Sequence, residues 1–182
     1  MGKFKRIDTS IKGVCIIEPT VFGDNRGYFM ETYSKADFEE VGLKYNFVQD
    51  NQVFSKRDVI RGMHVNLSLP QYKLVRVISG KILDVVVDLR RESDTFLSYF
   101  VTELSAETKN GLLIPERMGH GYLAMEESII EFKVTSYYKA NSEIGFAWNS
   151  KHIVDVWPID TPILSTRDKS SEKLENLIGH VI

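Results

Sequence analysis

The ten residues Ile129–Tyr138, IIEFKVTSYY, decide how the chain is read. Ile130, Phe132, Val134, Ser136 and Tyr138 fall on one face; Glu131, Lys133 and Thr135 fall on the other. That alternation is the period of a strand with one face turned inward, and it points Phe132 to the apolar interior. Similar short runs recur at Val14–Glu18, Lys73–Ile78, Ile82–Leu89 and Leu97–Leu104. Ser79-Gly80, between two of them, predicts a hairpin turn. Gly111, Pro115, Gly119 and Gly121 punctuate the next segment. Two helices are expected. Ser34 caps one that runs through Ala36, Phe38 and Val41 to Gly42, with Asp37 at capping-box spacing. The other runs from about Ser171 to Ile178, with Leu174, Leu177 and Ile178 on one side. Many short strands with few helices predict an all-β sandwich or barrel, a class that includes the jelly roll.

Composition narrows the alternatives. The chain has 182 residues, 43% hydrophobic and 26% charged, which suits one soluble domain over residues 1–182 with a sizeable core. A net charge of -2 and a pI near 6.1 give no electrostatic case for nucleic acid as a partner. No apolar run approaches the roughly 18 residues of a membrane span. The first residues, MGKFKRIDTSIKG, lack the apolar centre of a secretory signal, so no membrane partner and a cytoplasmic setting are expected. Cys15 is the one cysteine; it excludes an intrachain disulfide and a multi-thiolate metal site. Within VCII it reads as a small buried hydrophobe.

Two histidines are candidates for chemistry. His64 stands in RGMH, directly after a β-rich segment, with Arg61 and Lys73 close along the chain. It is eligible as a general base, and equally as a packed residue. His120 lies between glycines in IPERMGHGY, which suits either close backbone approach or a polar turn. His-x-His and HExxH are absent, so no metal is expected. Arg26-Gly27, with Phe22, Tyr28 and Phe29 around it, is either a solvated turn or a fork for a diphosphate beside rings for a base. No P-loop or GxGxxG is present, so nucleotide binding of those kinds is unsupported.

Taken in order, the stretches EPTVFGDNRGYFMETY, FVQDN, VIRGMH, KLVRVISGKILDVVVDLR, LSAET, IP with HGY, SYY, W-N, WP and LSTRD resemble the dTDP-4-dehydrorhamnose 3,5-epimerases. These are enzymes of the cupin-like jelly-roll class. The resemblance runs from about Val14 to Asp168. It implies a cupin-like sandwich or barrel with a few short flanking helices. It also implies an isomerase that inverts C3 and C5 of a nucleotide-linked 4-keto-6-deoxyhexose through an enolate, with no cofactor. His64 matches the family's base, Asp168 its carboxylate partner, and Lys73 and His120 the groups that hold the keto oxygen. Arg26, Glu31, Gln49, Asn51, Arg61, Glu143 and Arg167 match substrate-contacting positions, and Phe22, Phe29 and Tyr138 are aromatic neighbours of the base. The implied partners are the nucleotide-linked deoxysugar and a second copy of the chain, in a homodimer with exchanged N-terminal strands.

The departures cluster near the expected pocket. Phe132 occupies the position of the family's catalytic tyrosine and has no hydroxyl. Asn66 replaces a glutamine and Val53 a serine, while Leu97 and Arg117 stand where glycine is common. Single inversion at C3 or C5, a ketoisomerase, a metal-dependent cupin oxygenase or isomerase, and an inactive sugar-nucleotide-binding paralogue therefore remain open alternatives.

Overall fold

A computed structural model describes residues 3–139, 142–180 and 182. In chain order, its first strands are β1 (Phe4–Asp8), β2 (Cys15–Pro19), β3 (Val21–Asp24), β4 (Gly27–Met30), β5 (Gln49–Ser55), β6 (Ile60–Asn66) and β7 (Lys73–Ser79). Then come β8 (Lys81–Asp88), β9 (Tyr99–Ser105), β10 (Gly111–Ile114), β11 (Met118–Ala124), β12 (Ser128–Val134) and β13 (Glu143–Gly145). Three short helices, α1 (Lys35–Glu40), α2 (Thr166–Lys169) and α3 (Leu174–Leu177), flank them. One sheet has the order β1-β2-β10-β7-β12-β5 and the other β13-β6-β11-β8-β9; among the described residues, β3 and β4 pair only with each other. The architecture is the expected all-β sandwich.

Both sheets are covered on both faces, which explains why so many strands lack a polar side. Val75, Val77, Val86, Leu112, Ile114 and Ile130 meet between the sheets. Phe4, Cys15, Ile17, Leu74 and Leu113 lie on the outer face of the first sheet, under Phe38 of α1. Ile60, Met63, Val65, Val85 and Val87 lie on the outer face of the second, under Trp157, Leu174 and Leu177 from the C-terminal segment. The α1 cap is as expected: Ser34 Oγ accepts the Asp37 N–H at 3.4 Å. Cys15 is fully buried, and loss of solvation pushes its thiol up to about 11.

Three expectations need correction. Ser79-Gly80 joins β7 to β8, but these strands lie in different sheets, so the turn is a corner that carries the chain across the sandwich. Gly80 has φ +78°, and a Cβ there would lie 2.3 Å from the Glu127 carbonyl oxygen, so only glycine fits. The strand containing Phe132 ends at Val134; the chain then bends away, tied to the preceding loop by the Tyr72 N–H bond to Thr135 Oγ1 at 2.9 Å. The C-terminal helix is shorter than expected because the Glu172 carbonyl is taken by the Ala147 N–H at 2.7 Å. At the sheet's edge, β1 pairs with β2, and β2 with β10. The two residues standing where glycine is common, Leu97 and Arg117, adopt φ 63° and 59°, the left-handed conformation that glycine would take without strain.

Asp88, at the end of β8, organises the turn into β9. Its buried carboxylate accepts Arg90 Nε at 2.9 Å and Nη2 at 2.8 Å, with Ser93 Oγ and Thr95 Oγ1 each at 2.6 Å. Burial pushes this carboxyl up, but the bonds from Arg90, Ser93 and Thr95 outweigh it and hold the group far below the ordinary carboxylate range. A depressed folded-state pKa stabilises the fold above the unfolded value and is lost as pH falls. Asp88→Asn should therefore cost about 3 kcal/mol at pH 7. In denaturant titrations that difference should shrink below about pH 4; a constant difference down to pH 3 would contradict the assignment.

Candidate active site

A cavity of about 420 Å³ opens between the sheets. Gln49, Asn51 and Val53 of β5, Lys73 and Val75 of β7, and Ile130, Phe132 and Val134 of β12 line it from one sheet. Arg61 and His64 of β6, His120 and Tyr122 of β11, and Glu143 of β13 line it from the other. Ser165, Arg167 and Asp168 close it from α2 and its cap, and Gln71 and Tyr138 complete the wall.

Regular alternation would not place Arg61 and His64, three residues apart, on one face. The register between β6 and β11 shifts here: His120 is opposite His64, but Tyr122 is opposite Arg61. The shift occurs at Gly62, whose φ is +127° and whose Cβ would lie 2.5 Å from Gly121 Cα. Two facing glycines thus admit the irregularity that turns both polar side chains inward while Ile60 and Met63 stay in the outer layer.

His64 Nε2 lies 2.7 Å from Asp168 Oδ1. The other Asp168 oxygen accepts Ser165 Oγ–H at 2.8 Å, and the Asp168 N–H donates to Ser165 Oγ at 3.1 Å, so the helix cap also orients the carboxylate. Burial pushes the Asp168 carboxyl up; the hydrogen bonds from His64 and Ser165 outweigh this and hold it below its ordinary value. An ionised carboxylate only accepts, so Nε2 carries the ring proton and Nδ1 keeps its lone pair.

On the Nδ1 side stands Glu143, with Oε2 at 3.9 Å from Nδ1 and Oε1 at 3.7 Å from Lys73 Nζ. Arg167 Nη1 approaches Oε2 at 3.3 Å. Burial raises the Glu143 pKa, but Lys73, His64 and Arg167 together bring it below the ordinary value. His120 is fixed differently: Nε2 bonds both oxygens of Asp84 at 3.0 Å, and the Asp84 side chain is fully buried. Asp84 was not singled out in the sequence. The available signal was a carboxylate inside the apolar run ILDVVVDL, on the same strand face as Ile82 and Val86. Tyr122, Ser55 and Ser165 were also missed, because single hydroxyls in strands and caps carry no motif.

The cavity thus gathers His64, Asp168, Lys73, His120, Gln49, Asn51, Arg61, Phe132, Tyr138, Glu143 and Arg167. It does not include Phe22, Arg26, Phe29 or Glu31. These lie on or just after the β3–β4 hairpin, where Phe22 and Phe29 are 55% and 64% exposed. Arg26 pairs there with Asp24 at 2.6 Å and Glu31 with Lys3 at 2.7 Å. Among the described residues, no group of three or more His, Cys, Asp or Glu is placed to hold a metal ion.

Comparison with known proteins identifies the family. The family described as dTDP-4-dehydrorhamnose 3,5-epimerase matches residues 8–176. The enzyme of that name from Methanothermobacter thermautotrophicus is 44% identical over 178 residues, covering 96% of each chain. The crystal structure of the Bacillus anthracis enzyme with TDP and PPi bound superposes with a TM-score of 0.90 at 38% identity, over 94% of this chain and 99% of that one. A Legionella pneumophila 3,5-epimerase in complex with dTDP-4-keto-L-rhamnose gives a TM-score of 0.90 at 35% identity, over 96% of this chain and 94% of that one. The chain belongs to the dTDP-4-dehydrorhamnose 3,5-epimerase family, isomerases built on a cupin-like jelly-roll sandwich.

Proposed function

We propose that this single-domain chain epimerises a dTDP-linked 4-keto-6-deoxyhexose at one or both carbons next to the ketone. The observation that carries the reading is the 2.7 Å bond from Asp168 to His64 Nε2, which leaves Nδ1 available in a cavity that also holds Lys73 and His120. In the first step Nδ1 takes the proton from an α-carbon, and the C–H electron pair moves into the enolate. Asp168 then faces an imidazolium and offsets its charge. The enolate oxygen meets the Lys73 ammonium; His120, held at Nε2 by Asp84, adds a second donor from Nδ1 when its ring carries both protons. Donors preorganised in this way are worth about 3 kcal/mol each in comparable oxyanion sites. Delivery of a proton to the opposite face restores the ketone with the carbon inverted.

A narrower reading, inversion at one carbon only, is favoured by Phe132. That ring and its neighbours Ile130 and Val134 present no proton along β12. Incubation with dTDP-4-keto-6-deoxyglucose in deuterated water, followed by NMR at each carbon, tests both readings. Inversion should proceed at one α-carbon about tenfold faster than at the other. Equal and rapid inversion at both would remove the argument from Phe132, and no deuterium entry at either would defeat the epimerase reading.

The working unit is proposed to be a homodimer. The outer edge of β5 is unpaired by any strand of the described residues, and the same strand brings Gln49 and Asn51 to the cavity. A β3–β4 hairpin from a second copy, docked on that edge, would bring Phe22, Arg26, Phe29 and Glu31 to the cavity mouth. There the guanidinium can bind the diphosphate and the rings can stack on the base. Arg26→Ala should raise KM about tenfold with kcat nearly unchanged. An unaltered KM in steady-state kinetics would place the diphosphate elsewhere.

A further inference from the structure

Phe132 leaves the second face of the sugar without its expected acid. The cavity wall holds two phenols. Tyr138 sits at the rim and is 75% exposed. Tyr122 is 7% exposed and rises from β11, in the same sheet as His64. Its side chain crosses the space between the sheets, and its hydroxyl lies 2.9 Å from Ser55 Oγ on β5. The phenol is therefore delivered to the sheet opposite the base, at Ser55 of the strand that pairs with β12, where Ser55 is opposite Ser128 and Asn51 is opposite Phe132. Arg61 Nε donates to the same Ser55 Oγ at 3.0 Å.

We infer that Tyr122 is the catalytic acid that reprotonates the enolate on the face opposite His64. This inference rests on the epimerase reading and names the group that completes it. The phenol O–H bond breaks and the enolate π pair forms the new C–H bond, so the ketone returns. The phenolate left behind accepts the Ser55 hydroxyl proton in a hydrogen bond, with the Arg61 guanidinium alongside to offset its charge. Solvent water returns a proton to the phenolate and carries away the one held by the His64 imidazolium, so both groups regain their starting states. One donor, fixed at one depth of the cavity, serves one α-carbon, which fits the single-inversion reading.

The test is Tyr122→Phe, assayed with dTDP-4-keto-6-deoxyglucose in deuterated water. His64 would still remove and return the proton on its own face. Deuterium should thus continue to enter the sugar with retention, while formation of the inverted product falls at least about 100-fold. Retained entry in the same sample also reports that fold and base are intact. Adding Phe132→Tyr to this variant returns a phenol to the second sheet, and inversion should recover. Inversion at the parental rate in Tyr122→Phe would overturn the assignment alone. Loss of deuterium entry together with inversion would overturn it too, by placing the phenol before the enolate. Absence of any exchange in the parent protein would instead remove the epimerase reading, and the inference with it.

Discussion

A carboxylate that holds one nitrogen of an imidazole sets the other nitrogen free to act, and this account depends on that contact between Asp168 and His64. The two residues are 104 positions apart and reach each other by separate devices. His64 turns inward because the register of β6 slips at Gly62 against Gly121. Asp168 is aimed by its own helix cap, since Ser165 receives the backbone N–H of Asp168 and returns its hydroxyl proton to the carboxylate. Neither device is strongly apolar, so neither is explained by core formation. They make sense as parts of a site whose stability is supplied elsewhere in the fold.

That stability comes from layering. Each sheet is covered on its outer face, by α1 and its neighbours on one side and by the C-terminal segment on the other. The space between the sheets can therefore be apolar at one end and polar at the other without loss of the fold. Buried charges there are paired: Asp84 with His120 and Asp168 with His64, while Glu143 lies among Lys73, His64 and Arg167. Pairing is what makes such groups tolerable in a partly dehydrated cleft. In the proposed reaction, whose charge moves from base to oxygen and back, the same pairing orients them.

Much of this was readable from residues. The alternation of Ile130, Phe132 and Val134 against Glu131 and Lys133 correctly separated cavity from surface; Glu131 pairs with Arg76, and Lys133 with Asp50. The RGMH and LSTRD stretches supplied both members of the His64–Asp168 pair, although their contact needed three dimensions. Other features were hidden for physical reasons. Ser79-Gly80 has the chemistry of a hairpin turn, and nothing local distinguishes a hairpin from a corner between sheets. Asp84 looked like one polar residue in a strand until β11 brought His120 beside it. Tyr122 carried no signal, because a phenol's hydroxyl gains meaning only from what lies across the sandwich. The Phe22–Glu31 group carried a strong resemblance, yet it lies on or just after a hairpin away from the cavity; its local sequence gives its chemistry and not its place in the fold.

The most direct measurement is α-proton exchange on dTDP-4-keto-6-deoxyglucose in deuterated water, catalysed by a His64→Ala variant and set beside TDP binding by the same protein. Removal of the base should lower exchange at every position by at least about 1,000-fold while TDP still binds. Exchange at the parental rate in that variant would show that another group takes the proton, and the role assigned to the imidazole and its carboxylate would fall.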